Sequence, residues 1–362
     1  MSEPTHQAQE YALHVASTSR ELSAEALAQG EAQINTSSLE DLDAELPALC
    51  DRVQRHIESL SQWFIDRREV IEVAMVCAIL GEPLLLVGPP GTAKSQLCAR
   101  FAESLHLGPQ QRFEYLLTPF TEPSELFGPV DLHALREGRF LRSHQGMLTH
   151  VKVAFLDEIF RANSAILNAL LALLNERKYY EEGQAKTSPL NMIFAATNEL
   201  PSERHLDALS DRFVLKVPVR NVHRQRWDDL IQCGLTSEAY AAEHVKPWSM
   251  GPANYLDLIK LRRYLQLSMM HEARDTSLRA HFLPAEVSAQ WRQLLTTFEL
   301  DLGLYISDRK VIKLYRILRA QALIHGRNAV EMRDLHLLRF LAQRPGEHDL
   351  LTERITRVLD LE

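Results

Sequence analysis

The sequence predicts an α/β protein, a three-layer αβα core around a parallel five-stranded sheet, followed by an all-α section. Three observations predict it. Five short apolar runs alternate with stretches of helical periodicity between residues 84 and 217. A glycine-rich loop, GPPGTAKS, follows the first of those runs. Beyond about Val222 no strand pattern recurs and only helical periodicity remains.

In chain order, residues 1–38 are rich in Ala, Ser, Gln and Glu with few large apolar side chains, and are expected to be a flexible or weakly helical extension. Leu39, Leu42, Leu46, Leu49, Val53, Ile57, Leu60 and Phe64 then recur at steps of three and four, with Pro47 expected to divide the run into two pieces. Strands are predicted at 84–87, 113–117, 151–156, 191–196 and 213–217. Helices are predicted at 94–105 and 166–175, the second capped by Asn163 or Ser164. Strands separated by helices imply a parallel sheet covered on both faces. Helices at 255–267, 285–298, 308–324 and 332–342 complete the reading. It divides the chain at about residue 222, into a core of 39–222 and a helical domain of 223–362.

Composition excludes several classes. With 362 residues and 46% hydrophobic content the chain can bury two or three cores. A net charge of −8 opposes constitutive nucleic-acid binding, so nucleic acid is not an expected partner. Cys50, Cys77, Cys98 and Cys233 form no CxxC pair and read as small core residues of a reducing compartment. The start, MSEPTHQAQEY, has no apolar signal region, and residues 70–88 are interrupted by Glu72, Gly81, Glu82 and Pro83, so no membrane span is expected. These features predict a cytoplasmic protein. The fifteen histidines lack paired ligand spacing, His271-Glu272 included, and imply no structural metal. Trp227, Trp248 and Trp291 read as core or interface anchors.

LLLVGPPGTAKSQL carries the chemistry most plainly. A strand ending in a tight loop and reopening as a helix turns backbone N–H groups and the helix N-terminus toward an anion. Gly88, Pro89, Pro90, Gly91, Thr92, Ala93, Lys94, Ser95 and Gln96 form that P-loop. Lys94 suits the β- and γ-phosphates of ATP, or the β-phosphate of ADP, and the Ser95 hydroxyl suits Mg²⁺. Ala93 stands where the general pattern has Gly. In VKVAFLDEI an apolar strand delivers two carboxylates, Asp157 to orient Mg²⁺ through water and Glu158 to polarise an attacking water. In IFAATNELP the strand ends at Asn198, whose amide can hold the lytic water.

These motifs, in this order and followed by Asp211-Arg212-Phe213, resemble an AAA+ ATPase. The wording GPPGTAKS, FGPV, FLDEIFRA, LLALLNER and TNELP is similar to the MoxR family, and within it to the RavA-like branch. GPPG-Thr-Ala-Lys-Ser is common in that family, which accounts for Ala93. The resemblance implies a P-loop ATPase core with an AAA+ lid domain. It implies that Arg212 is an arginine finger reaching a neighbouring subunit's γ-phosphate. It implies that Arg309 is the sensor-2 arginine, closing on the nucleotide from its own chain behind a cap at Ser307 or Asp308. Thr118 is implied as a restraint on the catalytic glutamate and Arg161 as an intersubunit contact. Residues 127–150 resemble a helix-2 insert, and 176–190 a hairpin before the sensor-1 strand, with Tyr179 and Tyr180 either at a substrate-facing tip or packed across the strands.

The resemblance further implies a homo-oligomer, a hexameric ring that remodels or activates a partner complex. The expected partner carries a von Willebrand factor A domain, which does not fit within this chain. RavA-like relatives have a further C-terminal module, and the chain ending at Glu362 is expected to lack one. A DNA-acting motor of the helicase or clamp-loader kind shares the core but is opposed by the low charge. A small-molecule kinase would leave Asn198, Arg212 and Arg309 without roles.

Overall fold

A computed structural model describes residues 21–139, 141–181 and 183–359. The first twenty residues of the expected extension lie outside it. The remainder of that extension is a formed helix, α1 (Ala24–Thr36), capped by the Ser23 hydroxyl, with Leu27 and Ile34 buried. Two large apolar residues seven apart are too few to dominate a polar composition, yet they suffice to seat a helix on a partner.

The next helix, α2 (Leu39–Ser61), starts from a capping box between Ser38 and Asp41 and runs unbroken through Pro47. The expected division does not occur. The face carrying Leu42, Leu46, Leu49, Val53, Ile57 and Leu60 is buried along its whole length, and that burial outweighs the backbone bond lost at proline. Helix α3 (Arg68–Leu80) is buried nearly all round and ends at Gly81, in the left-handed region at φ 70°.

From Gly81 the chain enters the sheet. Strand β1 (Leu84–Val87) is followed by α4 (Lys94–Ser104), β2 (Arg112–Leu116), two short helices α5 (Pro123–Phe127) and α6 (Leu132–Arg136), β3 (Val153–Asp157) and α7 (Ser164–Glu176), with Asn163 as the cap of α7. An antiparallel hairpin of β4 (Lys178–Glu181) and β5 (Gln184–Thr187) precedes β6 (Met192–Thr197); α8 (Asp207–Ser210) and β7 (Leu215–Pro218) follow. The five core strands lie in the order β2-β3-β6-β1-β7 with every pairing parallel. All of β6 is buried, while the edge strand β2 is half-open. The predicted strands are present, displaced by one or two residues at their ends.

Among the described residues no strand follows β7. The helices are α9 (Trp227–Ala242), α10 (Tyr255–Arg274), α11 (Thr276–Phe282), α12 (Ala285–Leu302), α13 (Asp308–Ile324) and α14 (Glu347–Leu359), with a 3-10 stretch at Met332–Leu341 where an α-helix was expected. Helices α10 and α13 pack against α2 and α3, so the helical layer reaches both ends of the chain. Glu31 on α1 ties the layers together: it pairs with Lys152, just before β3, at 2.7 Å and accepts from the Tyr255 hydroxyl on α10 at 2.7 Å. No described helix is long and apolar enough to cross a membrane.

Candidate active site

Parallel pairing brings the expected site residues other than Arg212 and Arg309 to one end of the sheet. Val87 is in register with Thr197, Leu156 with Ala195 and Leu116 with Asp157, so β1, β3 and β6 end together. The P-loop, the carboxylate pair and Asn198 leave from that end. Gly88 donates its N–H to the Thr197 carbonyl at 3.0 Å. A Cβ at Gly88 would stand 2.1 Å from the Val219 carbonyl oxygen, so no side chain fits there.

Ala93 caps α4 in the left-handed region at φ 62°. This conformation explains why glycine is the general choice at the position, and alanine adopts it at a cost of roughly 1 kcal/mol. Lys94, at the first position of α4, folds back over the loop and donates to the carbonyls of Gly88 at 2.7 Å and Pro89 at 3.0 Å. Its burial lowers its pKa, an effect opposed by Asp157 and Glu158. The Thr92 hydroxyl closes the loop on Pro89 at 2.9 Å.

Asp157 ends β3, and one of its oxygens accepts the Glu158 N–H at 3.0 Å, leaving the other free of that bond. Glu158 sits in the left-handed region at φ 52°, a strained conformation of the kind that collects at functional sites. Its carboxylate is held on both oxygens, by the Asn198 amide at 2.5 Å and by Arg161 at 3.4 Å. Thr118 does not reach it; that hydroxyl bonds the Thr121 hydroxyl at 3.2 Å and the Phe120 N–H. Glu158, Asn198 and Arg161 line a cavity of about 280 Å³ together with Thr197 and Glu199. The Ser95 hydroxyl and the Asp157 carboxylate are hard oxygen donors, few in number, which fits Mg²⁺ held with a nucleotide. Among the described residues no cluster of three or more His, Cys, Asp or Glu could hold an ion alone.

Beside the loop opens a cleft of about 890 Å³, within the range of a nucleotide-sized pocket. Gly91, Thr92, Ala93 and Gln96 form one wall; Trp63, Arg67, His223 and Trp227 stand opposite. Sequence reading missed this second wall, which comes from the turn before α3 and the segment after β7. Its one legible signal was aromatic residues flanking helix boundaries. Trp248 and Trp291 are buried as expected, whereas Trp227 is half-exposed at the cleft.

Arg212 and Arg309 lie elsewhere. Leu84 pairs with Leu215 and Val87 with Pro218, so Arg212, three residues before β7, is at the end of the sheet opposite the P-loop. Strand β1 alone spans about 10 Å between those ends. Helix α13 sits under the same far edge, because Glu82, two residues before β1, pairs with Lys313 at 2.6 Å and Arg316 at 3.3 Å. Arg309 and Arg212 therefore line one small cleft with Asp211, Lys310 and Lys313. Ser307 caps α13 as expected, accepting from Lys310 N–H. The expectation that Arg309 closes on the nucleotide of its own chain is not met. Its helix packs at the base of the sheet rather than over the loop.

The fold and the site define a P-loop NTPase core followed by a helical lid. Residues 51–254 match a family model described as the MoxR domain in the MoxR-vWA-beta-propeller ternary systems, and residues 287–350 match an AAA lid domain. Two uncharacterized proteins of Methanocaldococcus jannaschii are similar: one is 31% identical over 80% of this chain and 70% of its own length, the other 32% identical over 78% and 69%. A solved structure of a provisionally assigned ATPase from Cytophaga hutchinsonii shares the fold, with a TM-score of 0.65 at 17% identity, covering 89% of this chain and 97% of that one. The chain belongs to the MoxR family of AAA+ ATPases.

Proposed function

We propose that this protein hydrolyses ATP at a site shared between two copies of itself. The observation that carries the reading is a division of the machinery: the loop, Asp157, Glu158 and Asn198 gather at one edge of the sheet, while Arg212 and Arg309 share a cleft at the other. A charge needed at the γ-phosphate must then come from a neighbour.

In this reading Lys94 leaves the loop carbonyls and takes the β- and γ-phosphates, and the loop N–H groups and the α4 N-terminus hold the anion. Ser95 and, through water, Asp157 would hold Mg²⁺ with the nucleotide, and the ion would supply neutralisation of phosphate charge. Glu158 accepts the proton of the attacking water. Before that it must leave Arg161 and share Asn198 with the water, so the observed contacts describe a resting arrangement. Arg212 and Arg309 both enter the neighbour's site. Head-to-tail contact of this kind closes into a ring when its rotation allows, and a hexamer fits the family. Apolar residues exposed beside each half-site support such contact: Leu230, Ile231 and Leu235 on α9, and Tyr305 and Ile312 near Arg309.

The output we infer is remodelling or activation of a partner complex in the cytoplasm, with a von Willebrand factor A domain protein as co-worker. The wording of the matched family supports that partner. The FGPV and LLALLNER segments favour a RavA-like branch within the family. The three buried thiols support a reducing compartment.

Subunit mixing tests the shared site. Arg212→Ala should bind ATP normally and lose turnover by about 10³-fold. Adding Lys94→Ala, inactive alone, should restore activity, because its intact arginine completes the neighbour's intact loop. No recovery in the mixture would remove the shared-site reading.

A further inference from the structure

Two lysines are buried at the far end of the sheet and take no part in the chemistry above. Lys216, in β7, is 2% exposed between Leu215 and Val217, and its ammonium nitrogen donates to the Phe213 carbonyl at 3.0 Å. Lys310, in the first turn of α13, is 3% exposed; it pairs with Asp211 at 2.7 Å and donates to the Tyr305 carbonyl at 3.4 Å. Asp211 and Phe213 are the residues on either side of Arg212. Each flank of the arginine is thus fastened by a different buried lysine, one through a side chain and one through the backbone.

Burying an ammonium is costly, and an apolar side chain would fill a sheet position at no such cost. A lysine held there by a lone carbonyl is a poor stabiliser, so its value lies in what it fixes. The Arg212 Nε is itself buried without a hydrogen-bond partner, so no bond at that atom orients the side chain independently of the turn that carries it. Lys310 belongs to the same helix as Arg309, one residue on, so its pair with Asp211 joins the two arginines into one unit.

We propose that Lys216 and Lys310 are positioning residues that clamp the turn at residues 211–213, presenting Arg212 together with Arg309 in fixed geometry to the triphosphate of an adjoining copy. This rests on the shared-site reading of Arg212. The clamp does not require charge on Lys216, whose pKa is pushed down to about 7 by burial and by Lys310, against the pull of Asp211 and Glu347; a neutral amine still donates to a carbonyl.

The test measures ATP binding, turnover, thermal stability and complementation for Lys216→Met and Lys310→Met, with Arg212→Ala in parallel. Both lysine variants should bind ATP with unchanged affinity and lose kcat by about 10- to 100-fold, as for a displaced catalytic group. The Tm of Lys216→Met should not fall, since the variant removes a buried ammonium. Mixing either variant with Lys94→Ala should restore turnover, because the added subunit supplies an intact turn to an intact loop. Turnover within about twofold of wild type overturns the clamp. A fall in both Tm and turnover, with no recovery on mixing, overturns it too and leaves the lysines a role in the fold alone. If Arg212→Ala keeps full turnover, the shared-site reading fails first; if it is inactive while Lys216→Met is active, only the clamp fails.

Discussion

Ala93 holds a left-handed backbone at φ 62° that a side chain resists, and that strain is measurable. Ala93→Gly should bind ATP as before and gain up to about 1 kcal/mol in urea unfolding, offset in part by the freer unfolded chain. A loss of similar size would show that the methyl group packs usefully. Lys216 makes a second prediction at this scale. Its folded pKa of about 7 lies below the ordinary 10.5, so between those values the unfolded state binds the extra proton and stability rises with pH. The penalty is fully present below pH 7. Wild type should therefore gain stability relative to Lys216→Met from pH 7 toward pH 10, by at most about 1.4 kcal/mol per unit; parallel curves would count against the buried ammonium. Residue types with fixed chemistry were legible in the sequence. Gly88 to Ser95, Asp157, Glu158 and Asn198 announce themselves because a phosphate loop and a strand-end carboxylate need those groups at those spacings. Lys216 did not, because a lysine in a strand reads as solvent-facing until its neighbours are known.

Among the elements, strands and long amphipathic helices were legible because burial on one face writes a period into the chain. Two failed for a shared reason: long-range packing outweighed a local signal. Helix α1 carries only two large apolar side chains, and α2 continues through Pro47. Leu27→Ala should cost about 2–5 kcal/mol and raise amide exchange across α1; an unchanged exchange pattern would return this segment to the status of a tail. The hairpin of β4 and β5 is anchored to the segment before β3 by the buried Glu181, which contacts Lys186, His144 at 2.7 Å and the Arg142 N–H at 3.1 Å. Burial raises the pKa of Glu181, but these partners prevail and bring it to about 2. Tyr179 packs edge-on against the stacked rings of His144 and His150, outside the hairpin, while Tyr180 stays exposed. Glu181→Gln should free the hairpin, seen as faster exchange at residues 178–187, with ATP binding unaffected.

For the whole molecule, the placement of Arg309 away from its own loop was beyond the sequence's reach, whereas the resemblance already turned Arg212 toward a neighbour. Motif order names an arginine but not the end of the sheet at which it stands; the pairing of β1 with β7 gives that. Turnover per subunit should accordingly rise with protein concentration until assembly is complete, and dilution should abolish it while ATP remains bound. Rates independent of concentration from nanomolar upward would argue for a self-sufficient site. The ion pairs of Glu82 carry a further meaning. That carboxylate grips Lys313 and Arg316 of the helix bearing Arg309, and two residues later begins the four-residue strand that delivers the P-loop. A displacement of that helix would have a direct covalent and ionic route to the loop. Under the shared-site reading, whatever Arg309 grasps across one boundary would be geared through Glu82 to the grip of Gly88 to Ser95 at the opposite boundary, so each subunit would act as a lever with a nucleotide at either tip.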